Sequence, residues 1–164
     1  MGFIIFMLGG IDVEINYKDL ENEVIDVLGK NPVWVLSTSM SDYVTSRPVS
    51  IINVGLNIYF QTNMCYVKYE QMKFNKKVSL SCQNVSIEGI AETIGDWSNE
   101  DNLQLLKIYK GKHLGSYQKY GNLNGQVVYK ITPVKIKLWK YIDGEPLREV
   151  LFVNEQRAER LEFM

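Results

Sequence analysis

From Val33 to Val153 the chain is largely a succession of short β-type segments joined by short turns. Strands that follow one another this closely pair antiparallel, because a parallel pair needs a long crossover. Val33–Thr38 is β-branched and nearly continuous in apolar character, so it reads as a buried strand. Ser41-Asp42 turns it into a strand over Thr45–Val54, and Gly55 and Asn57 flank a tight hairpin into Ile58–Thr62. Val78–Cys82 and Val85–Ile94 follow, joined by the polar pair Gln83-Asn84. Val127–Tyr141 is the last long strand, bent at Pro133, and Asp143-Gly144 turns it into Leu147–Val153. Proline donates no ladder hydrogen bond, so Pro48 belongs at an edge, a bulge or a ligand-facing gap.

Three helices are expected around these strands. Asn16 caps one from about Tyr17 to Leu28, with Leu20, Val24, Val27 and Leu28 at helical spacing and Gly29 as the stop. Cys65–Phe74 is a second, shorter one. Ser98 with Asp101 resembles a capping box and opens a third through Leu103, Leu106 and Tyr109. Lys112–Gly125 reads as a surface loop with at most a helical turn. The expected fold is α+β, mainly β: an antiparallel six- or seven-stranded barrel with peripheral helices. Residues 1–164 form one domain, with 1–15 an N-terminal extension and 154–164 a peripheral tail. The apolar Gly2–Leu8 is too short to span a bilayer and lacks the basic start of a signal peptide, so it reads as an extra strand or an arm.

Composition narrows the function classes. A hydrophobic content of 46% supplies a core for one domain of 164 residues. A formal net charge of −1 offers no global attraction for nucleic acid. The two cysteines, Cys65 and Cys82, and the single histidine, His113, stand at no metal-binding spacing, so no metal site is expected. Two cysteines without an export signal fit reduced thiols in a cytoplasmic protein. Cys82 reads as core. Cys65, near a helix start, reads as a small packed residue or a redox thiol. Tyr66, Tyr69, Tyr109 and Tyr117 suit either core packing or a flat ligand.

The residues that point to chemistry lie around one hairpin. Arg47 offers a forked cation, Lys68 a point charge one helical turn past the second strand, and Thr62 and Asn63 short polar contacts. The start of the Cys65 helix adds backbone N–H groups and a positive dipole end. Such a set suits a phosphate-bearing ligand. The competing reading is that Arg47 and Lys68 are solvated surface charges.

Taken in order, several segments resemble the pyridoxamine 5′-phosphate oxidase-like flavoproteins, which have the FMN-binding split-barrel fold. They are Val33–Thr38, Arg47-Pro48-Val49-Ser50, Tyr59-Phe60-Gln61-Thr62-Asn63, Lys68, Asn75–Leu80, Glu88–Glu92 and Lys137-Leu138-Trp139. The resemblance covers roughly residues 31–151. It implies FMN as cofactor, with contacts from Arg47, Pro48, Val49, Ser50, Gln61, Thr62 and Asn63, and Lys68 on the phosphate. It implies a homodimer with FMN at the subunit interface, Asn84 facing the flavin from the partner and Trp139 near it. Val67 replaces one phosphate-binding arginine of the family. Ile52 stands where true pyridoxamine phosphate oxidases carry lysine, and Glu145-Pro146-Leu147-Arg148 replaces their Arg-x-His. The expected function is therefore an FMN-dependent oxidoreductase that passes electrons from a reduced donor to a small-molecule acceptor, and not a pyridoxamine phosphate oxidase. The alternatives are a non-catalytic flavin-binding or redox-sensing protein, a deazaflavin in place of FMN, and a haem-handling split barrel using His113. Neither nucleic acid nor membrane is an expected partner.

Overall fold

A computed structural model describes residues 11–162. The apolar segment 2–8 lies outside them. The described chain forms ten strands in one antiparallel sheet, with three α-helices. The strands are β1 (Ile11–Ile15), β2 (Val33–Met40), β3 (Tyr43–Ser50), β4 (Ile52–Val54), β5 (Asn57–Asn63), β6 (Lys77–Cys82), β7 (Val85–Thr93), β8 (Gln126–Ile142), β9 (Glu145–Phe152) and β10 (Arg157–Glu162). The helices are α1 (Tyr17–Lys30), α2 (Val67–Phe74) and α3 (Leu103–Tyr120), the last preceded by a 3-10 turn at Glu100–Asn102.

The long strand β8 organises the molecule. One of its edges pairs with β7. Its other edge is divided: residues 126–131 pair with β5, and 135–142 pair with β9. Between the two partners, Pro133 lies opposite Gly89 beside a bulge in β8, whose extra residue is Val134. Gly89 is required there, because a Cβ would sit 2.7 Å from Ile131 Cγ2 and 2.9 Å from the Thr132 carbonyl oxygen. The first half of β8 joins a ring through β7, β6, β2 and β3. At Ile51 the chain changes partner, so that β3 pairs with β2 while β4 pairs with β5 and closes the ring. The second half of β8 carries β9, β10 and β1 as an extension.

Two apolar clusters follow from this arrangement. Inside the ring, Trp34, Leu36, Ile51, Ile58, Phe60, Leu80, Ile87 and Ile131 are buried with Leu20, Val24 and Leu28 of α1. Outside it, Ile52, Tyr59 and Val128 are covered by Trp97 and by Tyr109 of α3. The α1 start is as expected, with the Asn16 side chain accepting from the Asp19 N–H. Pro48 lies on β3, whose outer edge has no partner strand among the described residues, so its missing N–H leaves no ladder bond unmade.

The structure departs from the sequence reading at several elements. The strand expected over 45–54 is two, broken at Ile51. Within the tail expected as peripheral, Arg157–Glu162 is a paired strand: β10 pairs with β9 on one side and β1 on the other. With the split of the 45–54 strand, β1 and β10 account for the higher strand count. Ser98 does not cap α3. Its hydroxyl donates to Asp96 Oδ1 at 2.5 Å, and Asn99 caps the 3-10 turn instead. The segment expected as loop from Lys112 is helical to Tyr120, across a kink at His113 (φ −134°, ψ 41°). α2 begins at Val67, two residues after Cys65.

Candidate functional site

A cleft of ≈ 150 Å³ lies where the β3–β5 side of the barrel meets α3. Pro48, Val49 and Ser50 come from β3, Gln61 and Thr62 from β5, and Tyr66 and Lys68 from the entry to α2. α3 contributes Tyr109, Ser116 and Tyr120, and β8 contributes Gln126. Six of the ten residues expected at a cofactor site are thus brought together: Pro48, Val49, Ser50, Gln61, Thr62 and Lys68.

Electrostatics single out two cations. Lys68 is the second residue of α2, where the helix dipole disfavours a positive charge. Burial lowers its pKa, the Arg47 charge lowers it further, and Cys65 opposes both. Its ammonium lies 4.5 Å from the centre of the Tyr66 ring. Arg47 does not line the cleft. Its guanidinium donates to Thr38 Oγ1 at 2.6 Å, to the Leu36 carbonyl at 3.3 Å and to Thr45 Oγ1. Gln71 Oε1 gathers this group, accepting from the Thr38 and Thr45 hydroxyls at 2.5 and 2.7 Å. Burial pushes the Arg47 pKa down. Among the described residues, no carboxylate forms a salt bridge with Arg47 or Lys68.

Two lining residues carry unsatisfied oxygens. Thr62 Oγ1 and Gln126 Oε1 are buried without a hydrogen-bond partner. A buried polar atom left alone costs on the order of 1–3 kcal/mol, so each marks a place where a further hydrogen-bond partner would be gained. Gln61, by contrast, is held at both ends. Its Oε1 accepts from the Trp97 indole N–H at 2.8 Å, and its Nε2 donates to the Ser116 hydroxyl at 3.2 Å. The α2 N-cap, Tyr66, makes no side-chain capping bond.

Three expected residues lie elsewhere. Asn63 locks a loop: its Nδ2 donates to the Asn124 carbonyl at 2.9 Å and its Oδ1 accepts from the Cys65 N–H at 3.1 Å. Asn84 and Trp139 are bound to one another, Asn84 Nδ2 donating to the Trp139 carbonyl at 2.7 Å. They line a different cleft of ≈ 350 Å³ that shares no residue with the first. Ile52, where true pyridoxamine phosphate oxidases carry lysine, is fully buried beneath α3.

Tyr109 and Tyr66 reach the cleft as aromatic walls, whereas Tyr69 packs edge-on against Tyr129 at the barrel core. Ser116, Tyr120 and Gln126 were missed by sequence reasoning. The first two sit on the half of α3 that reads as loop, because its glycines and lysines obscure the helical period. Cys65 is exposed, and Cys82 is partly buried against the barrel core.

No protein-family model matches the sequence, and no curated protein matches it. Solved structures do match. A Listeria innocua protein described as a candidate pyridoxamine 5′-phosphate oxidase is 22% identical, with a TM-score of 0.57, over 73% of this chain and 97% of that one. The chain has the pyridoxamine 5′-phosphate oxidase-like split-barrel fold. A FAD-binding protein from Mesorhizobium loti aligns over 94% of this chain and 99% of its own at 13% identity and a TM-score of 0.59. HutZ, the haem storage protein of Vibrio cholerae, aligns over 70% and 89% at 11% identity and a TM-score of 0.59. Split barrels of this shape thus include proteins named for different prosthetic groups, so the choice among them rests on the site. No helix among the described residues is long and apolar enough to cross a membrane.

Proposed function

We propose that this protein binds FMN at the Lys68 cleft and acts as an FMN-dependent oxidoreductase on a small-molecule acceptor. One observation carries the reading: Lys68 and Arg47 are partly desolvated cations, mutually repulsive, with no carboxylate bridged to either among the described residues. A phosphate placed there would relieve the repulsion. Thr62 Oγ1 fits the same group, since a hydroxyl buried without a partner can donate to a phosphate oxygen. The uncapped first turn of α2 would add N–H groups and its dipole.

The flavin, when bound, supplies the electron-transfer chemistry through its ring. The chain's residues position and shield it. The β3 backbone at Pro48–Ser50 and the Tyr66, Tyr109 and Tyr120 side chains wall the cleft, and Gln61, fixed by Trp97 and Ser116, holds that wall rigid. Small-molecule sites span about 300–1,000 Å³. The cleft of one chain, at ≈ 150 Å³, is half the lower figure or less. A homodimer supports the remainder, with Asn84 and Trp139 of the second cleft completing the site from a partner. Histidine offers little to a haem reading, because His113 Nε2 is engaged 2.8 Å from the Ile51 carbonyl oxygen.

The purified protein is expected to be yellow, and mass spectrometry of the released ligand is expected to identify FMN. A colourless protein that fails to take up added FMN sinks the proposal. Anaerobic mixing with NADH or NADPH then separates the two flavin readings. Bleaching of the flavin band supports an oxidoreductase, and its absence with both nucleotides favours a non-catalytic flavin protein.

A further inference from the structure

Ile51 is the residue at which the chain leaves β3 for β4, and it belongs to neither strand. It is fully buried, so both of its backbone polar groups need partners outside a ladder. Its N–H donates to the Pro32 carbonyl at 2.9 Å. Its carbonyl oxygen lies 2.8 Å from His113 Nε2. A carbonyl only accepts, so Nε2 carries a proton and donates it. His113 is also the residue of α3 that departs from helical backbone geometry. One turn earlier, the ring of the buried Tyr109 is centred 5.0 Å from the imidazole. Just past the kink, Ser116 Oγ accepts from Gln61 Nε2 at 3.2 Å and shares a 3.2 Å hydrogen bond with the Tyr109 hydroxyl. Gly111 and Gly115 flank the kink and offer no side chain to the barrel. His113, between them, bonds this stretch of α3 to the strand switch.

That one bond joins two walls of the Lys68 cleft. Pro48, Val49 and Ser50 run directly into Ile51, and Ser116 and Tyr120 lie just beyond His113. We infer that His113 is a positioning residue: by satisfying the Ile51 carbonyl it sets the kink of α3, and with it the spacing of the β3 and α3 walls of the cleft. Its imidazole does not line the cleft, so it acts on a ligand through those walls. The wall geometry stands whatever the ligand is, and only the binding measurement rests on the flavin reading.

His113 is the chain's single histidine, so its ring signals are unambiguous in nitrogen–proton spectra of the full chain. The neutral ring is expected to hold its proton on Nε2, and a neutral ring protonated on Nδ1 would overturn the bond. Two variants separate the donor from the ring. His113→Phe keeps a ring beside Tyr109 and loses the donor, whereas His113→Gln keeps an N–H at similar reach. The Phe variant is expected to shift the Gln61 side-chain amide signals, which sense Ser116. It should also weaken FMN binding in equilibrium dialysis about fivefold, the order of one lost neutral hydrogen bond. The Gln variant should restore both. Gln61 signals unmoved in the Phe variant, FMN bound equally by the Phe variant and a flavin-binding wild type, or a Gln variant that behaves like the Phe variant would overturn the assignment. The ring proton is read on the wild type, so a Phe variant that fails to fold leaves that test standing. Gln61 signals that move and are restored as expected, in a protein that takes up no FMN, support the positioning role and count against the proposed function alone.

Discussion

The barrel end and the β9–β10 extension handle buried charge in opposite ways. In the extension, Glu149 is only 3% exposed yet fully engaged. Arg160 grips its Oε1 with Nε and Nη2 at 2.9 and 2.7 Å, and Lys140 reaches its Oε2 at 2.5 Å. Lys140 also bridges to Glu23 of α1 at 2.6 Å, tying helix to sheet. The register explains the match: Arg160 lies directly opposite Glu149 across the β9–β10 pair. At the barrel end, Lys68 and Arg47 have hydroxyl, amide, carbonyl and aromatic neighbours, and no anion among the described residues. Charges in the extension are complementary within the fold and serve stability. Those at the barrel end have no such partner among the described residues, which is why a ligand phosphate is proposed there.

The largest expected effect breaks the first half of that contrast. Glu149→Gln strands Lys140 and Arg160 around a neutral amide, and urea unfolding should show a loss of about 3 kcal/mol. A loss under about 1 kcal/mol would mean that the network is a surface ornament. Gly89→Ala tests the joint between the two regions. The added Cβ collides with Ile131 and the Thr132 carbonyl at the bulge where β8 changes partner, so stability should fall by about 2 kcal/mol. Unaltered unfolding would show that β8 can shift freely there.

Lys68→Ala addresses the second half. Losing one charge-assisted phosphate contact costs roughly 1.5–3 kcal/mol, so FMN retention in equilibrium dialysis should weaken at least tenfold. Lys110→Ala, on α3, is expected to retain FMN as the wild type does. Equal retention in the two variants contradicts the phosphate assignment.

The smallest effect is the pH dependence, which should have opposite senses at the two places. Burial raises the Glu149 pKa, but its bonds to Lys140 and Arg160 outweigh that and hold it below the ordinary glutamate value of 4.5. Its stabilisation is therefore present above about pH 4.5 and is lost as pH falls through the lowered folded value. Lys68 is depressed by burial and by Arg47 from the ordinary lysine value of 10.5, so its charged form costs stability at neutral pH. That cost is relieved as pH rises through its lowered folded value toward 10.5. Lys68→Met should thus raise the neutral-pH stability of the cofactor-free protein and flatten its alkaline slope, seen by urea titration at several pH values. A Lys68→Met protein less stable than wild type would show that the ammonium is compensated after all.

The hairpin strands, α1 and the turn at Gly55 were legible because each is written in local pattern: apolar periodicity, an Asn cap, a glycine at φ 57°. Pro48 was also legible, since a missing donor restricts a strand to few places. The extension was not. Arg157–Glu162 has only Ala158 and Leu161 as apolar residues, three apart rather than alternating, so it carries no strand period, and its partners β9 and β1 are near and very far in sequence respectively. The cleft was half legible. Lys68, Gln61 and Thr62 follow the hairpin directly. Ser116 and Tyr120 reach it only because α3 folds back over the outer barrel face, Gln126 because β8 pairs with β5, and Asn63 turned to a loop rather than to the cleft.

Local chemistry in the sequence determined that this chain makes an antiparallel barrel with two cations near one hairpin, because strand period, turn residues and side-chain charge are properties of neighbours along the chain. Only the tertiary structure decided which charges are paired. Pairing depends on register across β9 and β10 and on the lack, among the described residues, of a carboxylate bridged to Lys68, and both are set by contacts between segments far apart in sequence. The same long-range packing left Thr62 Oγ1 and Gln126 Oε1 unsatisfied, so what the chain asks of a ligand was written by the fold.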